Sequence, residues 1–82
     1  MTPQPISAAA EKAGYVDAEI ENMFSYHSPK EGQADIYQEI RETAKELAYK
    51  IRRECPGGED QDRAIARLRE SVMWANSAIA CS

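Results

Sequence analysis

The chain has 82 residues, enough for one small domain whose core is marginal by itself, since a domain of this size buries only roughly 60% of its unfolded surface. Its composition, 43% hydrophobic and 29% charged, includes no apolar run of membrane-spanning length and no signal-peptide pattern, so we expect a soluble cytoplasmic protein. The net charge of -4 argues against binding to duplex DNA or RNA, whereas a small anionic ligand needs only a few local cations.

The N-terminal part of the chain predicts one short helix after a loose tail at residues 1–6. Ser7 is a suitable N-cap, and good helix formers follow it, so we place the first helix at residues 7–23, short or broken at Gly14. Beside Gly14, Tyr15 is either an aromatic at the rim of the core or a stacking platform for a ligand. The rest of this helix has an apolar side and an acidic face. The apolar side consists of Val16, Ile20 and Met23 or Phe24, and the acidic face consists of Asp17, Glu19 and Glu21.

Residues 24–32 form the predicted loop before the main helices and read F-S-Y-H-S-P-K-E-G. Ser28 to Glu31 fit a capping box, which Gly32 interrupts, so either a short turn precedes the next helix or that helix begins with a weak first turn. His27, next to Tyr26, could titrate near neutral pH. A single histidine without a nucleophile or metal cluster favours a hydrogen-bonding role over catalysis.

Two long amphipathic helices complete the predicted fold. Residues 33–54 repeat apolar side chains at steps of three and four, and so do residues 59–80. The intervening residues 55–58, Cys-Pro-Gly-Gly, stop the first of these helices and allow a tight turn. The chain therefore predicts an all-α domain over residues 1–82, with a long antiparallel hairpin. The two apolar seams are Tyr37, Ile40, Ala44, Leu47 and Ile51, and Ile65, Leu68, Val72, Ala75 and Ile79.

Charged and polar residues on the hairpin have both structural and functional interpretations. The cations Lys45, Lys50, Arg52 and Arg53 suit the negative end of the second helix. Arg63 and Arg67 lie on one side of the last helix, where they pair with that helix's own acids or, in an oligomer, line a shared interior in which guanidinium groups meet phosphate. Asn76 needs a hydrogen-bond partner if it is buried.

The small size of the chain predicts an external source of stability. Two cysteines and one histidine are too few for a zinc site, and we predict no metal and no cofactor. Cys55 lies at the hairpin turn and Cys81 at its open end, roughly 30 Å away, so an intrachain disulfide is excluded. We therefore expect a compact homo-oligomer, held through Trp74, the small residues around it and the first helix.

Four segments give the chain a resemblance to a known family. They are F-x-Y-H-x-P from Phe24, I-R-x-x-A-K-x-L-A over Ile40 to Ala48, the Cys-Pro stop, and the ending A-I-A-R-L-R-E-S-V-M-W-A-N-S-A-I-A. Together they resemble the small anti-CBASS sponge proteins of phages, whose helical hairpin domain is shared with the anti-Thoeris sponges. The similarity covers about residues 15–80.

The resemblance implies a hexameric sponge without enzymatic activity. Such a protein acts in the cytoplasm of the infected bacterium, where it sequesters cyclic dinucleotides such as 3′,3′-cGAMP between protomers and blocks CBASS signalling. In the family, an aromatic residue stacks on a base and a loop lysine meets phosphate, which places these roles on Tyr15 and Lys30. The predicted ligand-binding set also includes Tyr26, His27, Gly32, Arg63 and Arg67.

A second family site, for cyclic trinucleotides, matches this chain poorly. The family often has S-R-E at the start of the last helix, where this chain has Gly58-Glu59-Asp60, and Gly32 stands where a hydroxyl residue is expected. Arg63 or Arg67 is the alternative guanidinium donor. The sequence therefore leaves trinucleotide binding open.

Two other classes of function are weaker interpretations of the same residues. A structural adaptor whose hairpin packs on a partner protein would explain the apolar seams but would give no role to Tyr15 and Lys30. A hydrolase of cyclic nucleotides would need a metal cluster or an activated nucleophile. We therefore expect a binding protein that is not an enzyme.

Overall fold

The computed structural model describes residues 7–24 and 34–81, which form helices, the turns between them and the residues next to the helix ends. The helices are α1 (Ala8–Ala13), α2 (Ala18–Met23), α3 (Ala34–Glu54) and α4 (Glu59–Ala80). Among these described helices, none combines enough length with enough apolar side chains to span a lipid bilayer. The predicted capping box and four of the predicted site residues lie outside the described residues: Tyr26, His27, Lys30 and Gly32.

The predicted first helix is divided into α1 and α2 by a turn that begins at Gly14. Ser7 is the N-cap of α1, as predicted, and its Oγ accepts a hydrogen bond from the Ala10 N–H at 3.1 Å. Gly14 ends α1 with a φ of 86°, a left-handed conformation that glycine adopts without steric cost. Asp17 then caps α2 by accepting a bond from the Ile20 N–H. The break predicted as an alternative is the one that the structure has.

α3 is the central helix, and α1, α2 and α4 all pack against it. Ile20 and Phe24 are buried on the α2 side, whereas Val16, which the sequence pattern placed on the same apolar side, is exposed. Val16 lies in the turn before α2 and so does not share that helix's periodicity. The buried hydrophobic core consists of Ala9, Ala10, Ile20, Phe24, Ala44, Ala48, Tyr49 and Ile65.

The hairpin turn between α3 and α4 is closed by Gln61. This side chain is buried, and its Nε2 donates to the carbonyl oxygens of Cys55 at 2.8 Å and Arg52 at 3.2 Å. These carbonyls belong to the C-terminal end of α3, where backbone acceptors lack helical partners. Gly58 precedes α4 with a φ of 141°, a conformation that side chains rarely adopt. One side chain of α4 therefore caps the helix before it.

The apolar seam predicted on α3 is only partly correct. Leu47 is 46% exposed, whereas Ala48 and Tyr49, which the seam omitted, are buried. The reason is that α3 is covered on two sides, by α1 and α2 and by α4, so a single three-four stripe does not describe its buried surface. On α4 the seam is better matched, since Ile65 is buried and Leu68 and Val72 pack against the core.

Both cysteines are free and exposed, which confirms the prediction that they do not pair within the chain. Cys55 follows the end of α3 and Cys81 follows the end of α4. The 22 residues of α4 separate them by roughly 30 Å at the rise of an α-helix.

Candidate ligand-binding site

Tyr15 lies in the turn between α1 and α2 and is partly open to solvent. It is 38% exposed. Its ring contacts the ring of Tyr49 on α3, with 5.2 Å between the centroids and an interplanar angle of 82°. Such an edge-to-face contact covers at most one face of the Tyr15 ring and is a favourable aromatic geometry. Tyr15 is therefore a rim aromatic and also presents ring surface that a base could stack on.

Tyr49 is 1% exposed, and its hydroxyl accepts one hydrogen bond and donates another. The Oη accepts from the Asp17 N–H at 3.0 Å and donates to Glu21 Oε2 at 2.6 Å. Burial is the main cause that raises the pKa of Tyr49 to about 12, and the nearby carboxylates of Glu21 and Asp17 act in the same direction. The hydrogen bond from the Asp17 backbone N–H opposes them and lowers the pKa. The phenol therefore stays protonated and continues to donate throughout the neutral range.

Glu21 is the acceptor on which three side chains converge. Its Oε2 accepts from Tyr49 and from Ser7 Oγ at 2.9 Å, and its Oε1 lies 3.0 Å from Lys45 Nζ. Burial would raise the pKa of this carboxyl, but the hydrogen bonds from Tyr49, Lys45 and Ser7 and the charge of Lys45 outweigh burial and lower it. The acidic face predicted from the sequence is thus not simply solvated, because Glu21 points into the structure.

Lys45 supplies the positive charge of this cluster. The residue is 5% exposed and has two carboxylate partners, Glu21 at 3.0 Å and Glu42 at 3.6 Å. A buried ammonium needs such partners, because an uncompensated charge there would be strongly destabilising. Lys45 lies near the middle of α3, so its position reflects a tertiary contact and not the helix dipole that the sequence pattern suggested. As a paired cation, it is not available to a phosphate without breaking this contact.

The turn that carries Tyr15 is held by three side chains from one side of α3. Besides the Tyr49 hydroxyl, Arg53 Nη1 donates to the Ala13 carbonyl at 3.1 Å, and Arg52 Nε lies 3.4 Å from Asp17 Oδ2. Tyr49, Arg52 and Arg53 are spaced by three and four residues, so they project from the same side of the helix. The turn is thus attached to α3 both before and after Tyr15.

Arg63 and Arg67 have the structural role that the sequence offered as an alternative. Arg63 pairs with Glu59 and with Asp60, and Arg67 Nη1 lies 2.9 Å from Glu70 Oε2, all within α4. Both arginines are exposed. The ion pairs of both arginines stay within α4, and among the described residues none of these pairs joins them to the Tyr15 turn.

A cleft of about 440 Å³ lies at the hairpin turn, beside the segment Gly58-Glu59-Asp60. Its lining includes the carboxylates of Glu59 and Asp60 and contains no lysine or arginine. Two carboxylates offset the positive end of the α4 dipole, so this cleft is a poor anion site within one protomer. No group of three or more metal-binding side chains occurs among the described residues.

The sequence pattern did not place three residues beside Tyr15: Glu21, Lys45 and Tyr49. A signal was present, since Lys45, Ala48, Tyr49 and Arg52 stand at positions i, i+3, i+4 and i+7, which share one side of a helix. This second stripe was overlooked because two of its members are charged. A lysine and an arginine beside a tyrosine on one helix side indicate a polar, partly buried contact with another element.

The described helices define a small helical-hairpin protein with a short helical pair packed on the first hairpin helix. Comparison with known families matches residues 16–80 to the family described as Acb2/Tad1, hairpin domain. The chain belongs to this family, which is that of the anti-CBASS and anti-Thoeris sponges. The match covers α2, α3 and α4 and begins one residue after Tyr15. No curated protein and no solved structure matches the chain.

Proposed function

We propose that the protein binds cyclic oligonucleotide second messengers and sequesters them intact, as a phage-encoded inhibitor of CBASS signalling in the cytoplasm of the bacterial host. Membership of the sponge family is the observation that carries this proposal. Cyclic dinucleotides such as 3′,3′-cGAMP are the proposed principal ligands. Tyr15 provides the stacking surface, and Lys30, which precedes α3 in the sequence, provides the charge for a phosphate.

The Tyr15 turn supports this proposal by its geometry and by its attachment to α3. The ring is partly exposed, and the turn is attached to α3 by the Tyr49 hydroxyl and by Arg53. Stacking of one base on an aromatic side chain is worth roughly 1–3 kcal/mol. In an oligomer with two-fold symmetry, a pocket between two protomers would contain Tyr15 twice, which suits a ligand with two bases.

The decisive experiment separates sequestration from cleavage. The protein is incubated with 3′,3′-cGAMP, the unbound ligand is removed, and the protein is denatured by heat so that any bound ligand is released and can be identified by mass spectrometry. We expect intact 3′,3′-cGAMP. Linear products would indicate a hydrolase, and absence of any released nucleotide would contradict binding of this ligand. A parallel sample with a cyclic trinucleotide tests the second class of ligand.

We also propose that the functional unit is a homo-oligomer, a hexamer by analogy with the family. Trp74 is 69% exposed and the adjacent Met73 is 61% exposed, an apolar pair on α4 that the protomer itself leaves uncovered. Close to this pair, Asn76 Oδ1 is buried without a hydrogen-bond partner in the described chain. An uncovered apolar surface of this kind is typical of an interface between proteins.

The same exposed pair favours a second candidate function, that of an adaptor whose α4 binds a partner protein. Oligomeric state distinguishes the two. Light scattering at micromolar protein is expected to give the mass of six protomers for the sponge. A monomer that also fails to retain cyclic dinucleotide would support the adaptor.

A further inference from the structure

We propose that Tyr49 is a positioning residue for the ligand site, holding the Tyr15 ring and the turn that carries it in the orientation that receives a base. This inference rests on the proposed function, because it assumes that Tyr15 stacks on the ligand. It assigns a role in binding to a side chain that is itself almost fully buried.

Tyr49 makes two separate contacts with the turn that carries Tyr15. Its ring meets the Tyr15 ring edge to face at 5.2 Å, and its hydroxyl accepts the Asp17 N–H at 3.0 Å. Asp17 is two residues beyond Tyr15 and is the N-cap of α2. One side chain therefore fixes both the ring and the backbone that follows it.

Tyr49 is itself held in place by its surroundings. It is 1% exposed, and its hydroxyl donates to Glu21 at 2.6 Å, while Glu21 also accepts from Lys45 and Ser7. The carboxylate thus links α1, α2 and α3 at one point. The orientation of the Tyr49 ring is determined by these contacts, and the orientation of Tyr15 follows from it.

Without Tyr49, the turn would lose the ring contact at Tyr15 and the hydrogen bond at Asp17. Gly14 has the left-handed conformation and is exposed, with nothing within 4 Å of the position of a Cβ. The turn therefore lacks close packing at Gly14, and beyond its own helix caps it is held by the contacts with α3. Ordering a loop when a ligand binds lowers affinity, so a turn that is already ordered binds more tightly.

The test compares Tyr49→Phe with wild type, with Tyr15→Ala and with Ile65→Val. Tyr49→Phe keeps the ring but removes both hydrogen bonds of the hydroxyl. Ile65→Val is the matched control, because Ile65 is equally buried but lies on α4 and is not part of the Tyr15 turn. Affinity for 3′,3′-cGAMP is measured by calorimetry, and exchange of the Asp17 amide hydrogen is measured by NMR.

We expect Tyr49→Phe to weaken binding of 3′,3′-cGAMP roughly tenfold and to accelerate exchange of the Asp17 amide hydrogen. A tenfold loss of affinity corresponds to the free energy of about one hydrogen bond. Ile65→Val should change neither quantity beyond its effect on global stability. If Tyr49→Phe binds 3′,3′-cGAMP with wild-type affinity despite faster Asp17 exchange, the positioning role of Tyr49 is overturned. The proposed function stays intact in that case, provided that Tyr15→Ala still weakens binding. Unchanged affinity in Tyr15→Ala, or no binding by the wild type, would instead overturn the proposed site or function.

A measurement on the wild type makes the test independent of the folding of any variant. Nuclear Overhauser contacts between the Tyr15 and Tyr49 rings are expected in the free protein and in the complex with 3′,3′-cGAMP. Loss of these contacts in the complex would show that Tyr15 leaves Tyr49 to reach the ligand, which contradicts a positioning role.

Discussion

The two sides of the central helix α3 differ in how far their side chains find partners within one protomer. On the side of α1 and α2, charged and polar groups meet within the chain: Glu21 accepts from three side chains, and Lys45 has two carboxylates. On the other side, α4 packs Ile65, Leu68 and Val72 against the core, but Met73 and Trp74 stay exposed.

This difference separates two kinds of order in a small domain. The hydrogen bonds around Glu21 form within a single chain, and with the Tyr49 hydroxyl they hold the Tyr15 turn without help from another protomer. An exposed tryptophan instead represents apolar surface whose burial would be favourable, by about 25 cal/mol per Å². The Tyr15 side is therefore expected to persist in an isolated protomer, and the Trp74 side to depend on a partner.

Trp74→Ala is expected to have the largest effect, and to act on assembly. If the ring is buried between protomers, its removal costs on the order of 3–5 kcal/mol, which should shift the oligomer toward monomer at micromolar concentration. Sedimentation velocity measures this shift, and Arg69→Ala, an exposed residue of the same helix, serves as the control. If the Trp74→Ala mass equals that of the wild-type oligomer, the interface lies elsewhere.

Tyr15→Ala is expected to weaken cyclic dinucleotide binding by roughly 2–6 kcal/mol, twice the stacking value of one base, because a symmetric pocket holds the residue twice. Lys30→Ala should also weaken binding, but through charge. Affinity is measured at two salt concentrations, with circular dichroism to verify folding. Tyr15→Ala should keep the wild-type salt dependence and Lys30→Ala should lose part of it, since salt screens charges and has little effect on stacking. Full affinity in both folded variants would place the pocket on other residues.

Glu21→Gln is expected to lower the free energy of unfolding by roughly 1–3 kcal/mol at pH 7, because Lys45 then loses its closer charged partner. The pKa of Glu21 is below its ordinary value of 4.5. Its ionised form therefore stabilises the fold above about pH 4.5, and this contribution is lost as the pH falls through the lowered pKa. Urea unfolding at a fixed protein concentration should show the difference between variant and wild type shrinking from pH 7 to pH 3. A constant difference would contradict the linkage.

The smallest expected effect is that of reductant. Cys55 and Cys81 are free and exposed at positions after different helices, so dithiothreitol should leave the melting temperature unchanged. Mass spectrometry of the alkylated protein checks the same point and should find two modified thiols. An intrachain disulfide in the folded protein would require a different arrangement of α3 and α4.

The sequence alone determined the helical hairpin and several of the positions at which its helices begin or end. The three-four spacing, the Cys-Pro-Gly-Gly turn and the Ser7 cap are local signals, because helix periodicity and capping involve residues only a few positions apart. The resemblance to the sponge family came from the sequence as well, through short segments that could be read without coordinates. Tyr15 was singled out, but as an aromatic with two possible roles.

Only the tertiary structure decided which charged residues point inward and which apolar ones stay outside. Tyr49 bonds Glu21 across 28 residues and Lys45 reaches it across 24, separations at which no local spacing rule operates. Likewise, Leu47 continues the α3 seam yet is exposed, because the neighbouring helices cover other parts of α3. Pairing and coverage depend on how helices pack in three dimensions, and that packing is what joins the Tyr15 turn to α3.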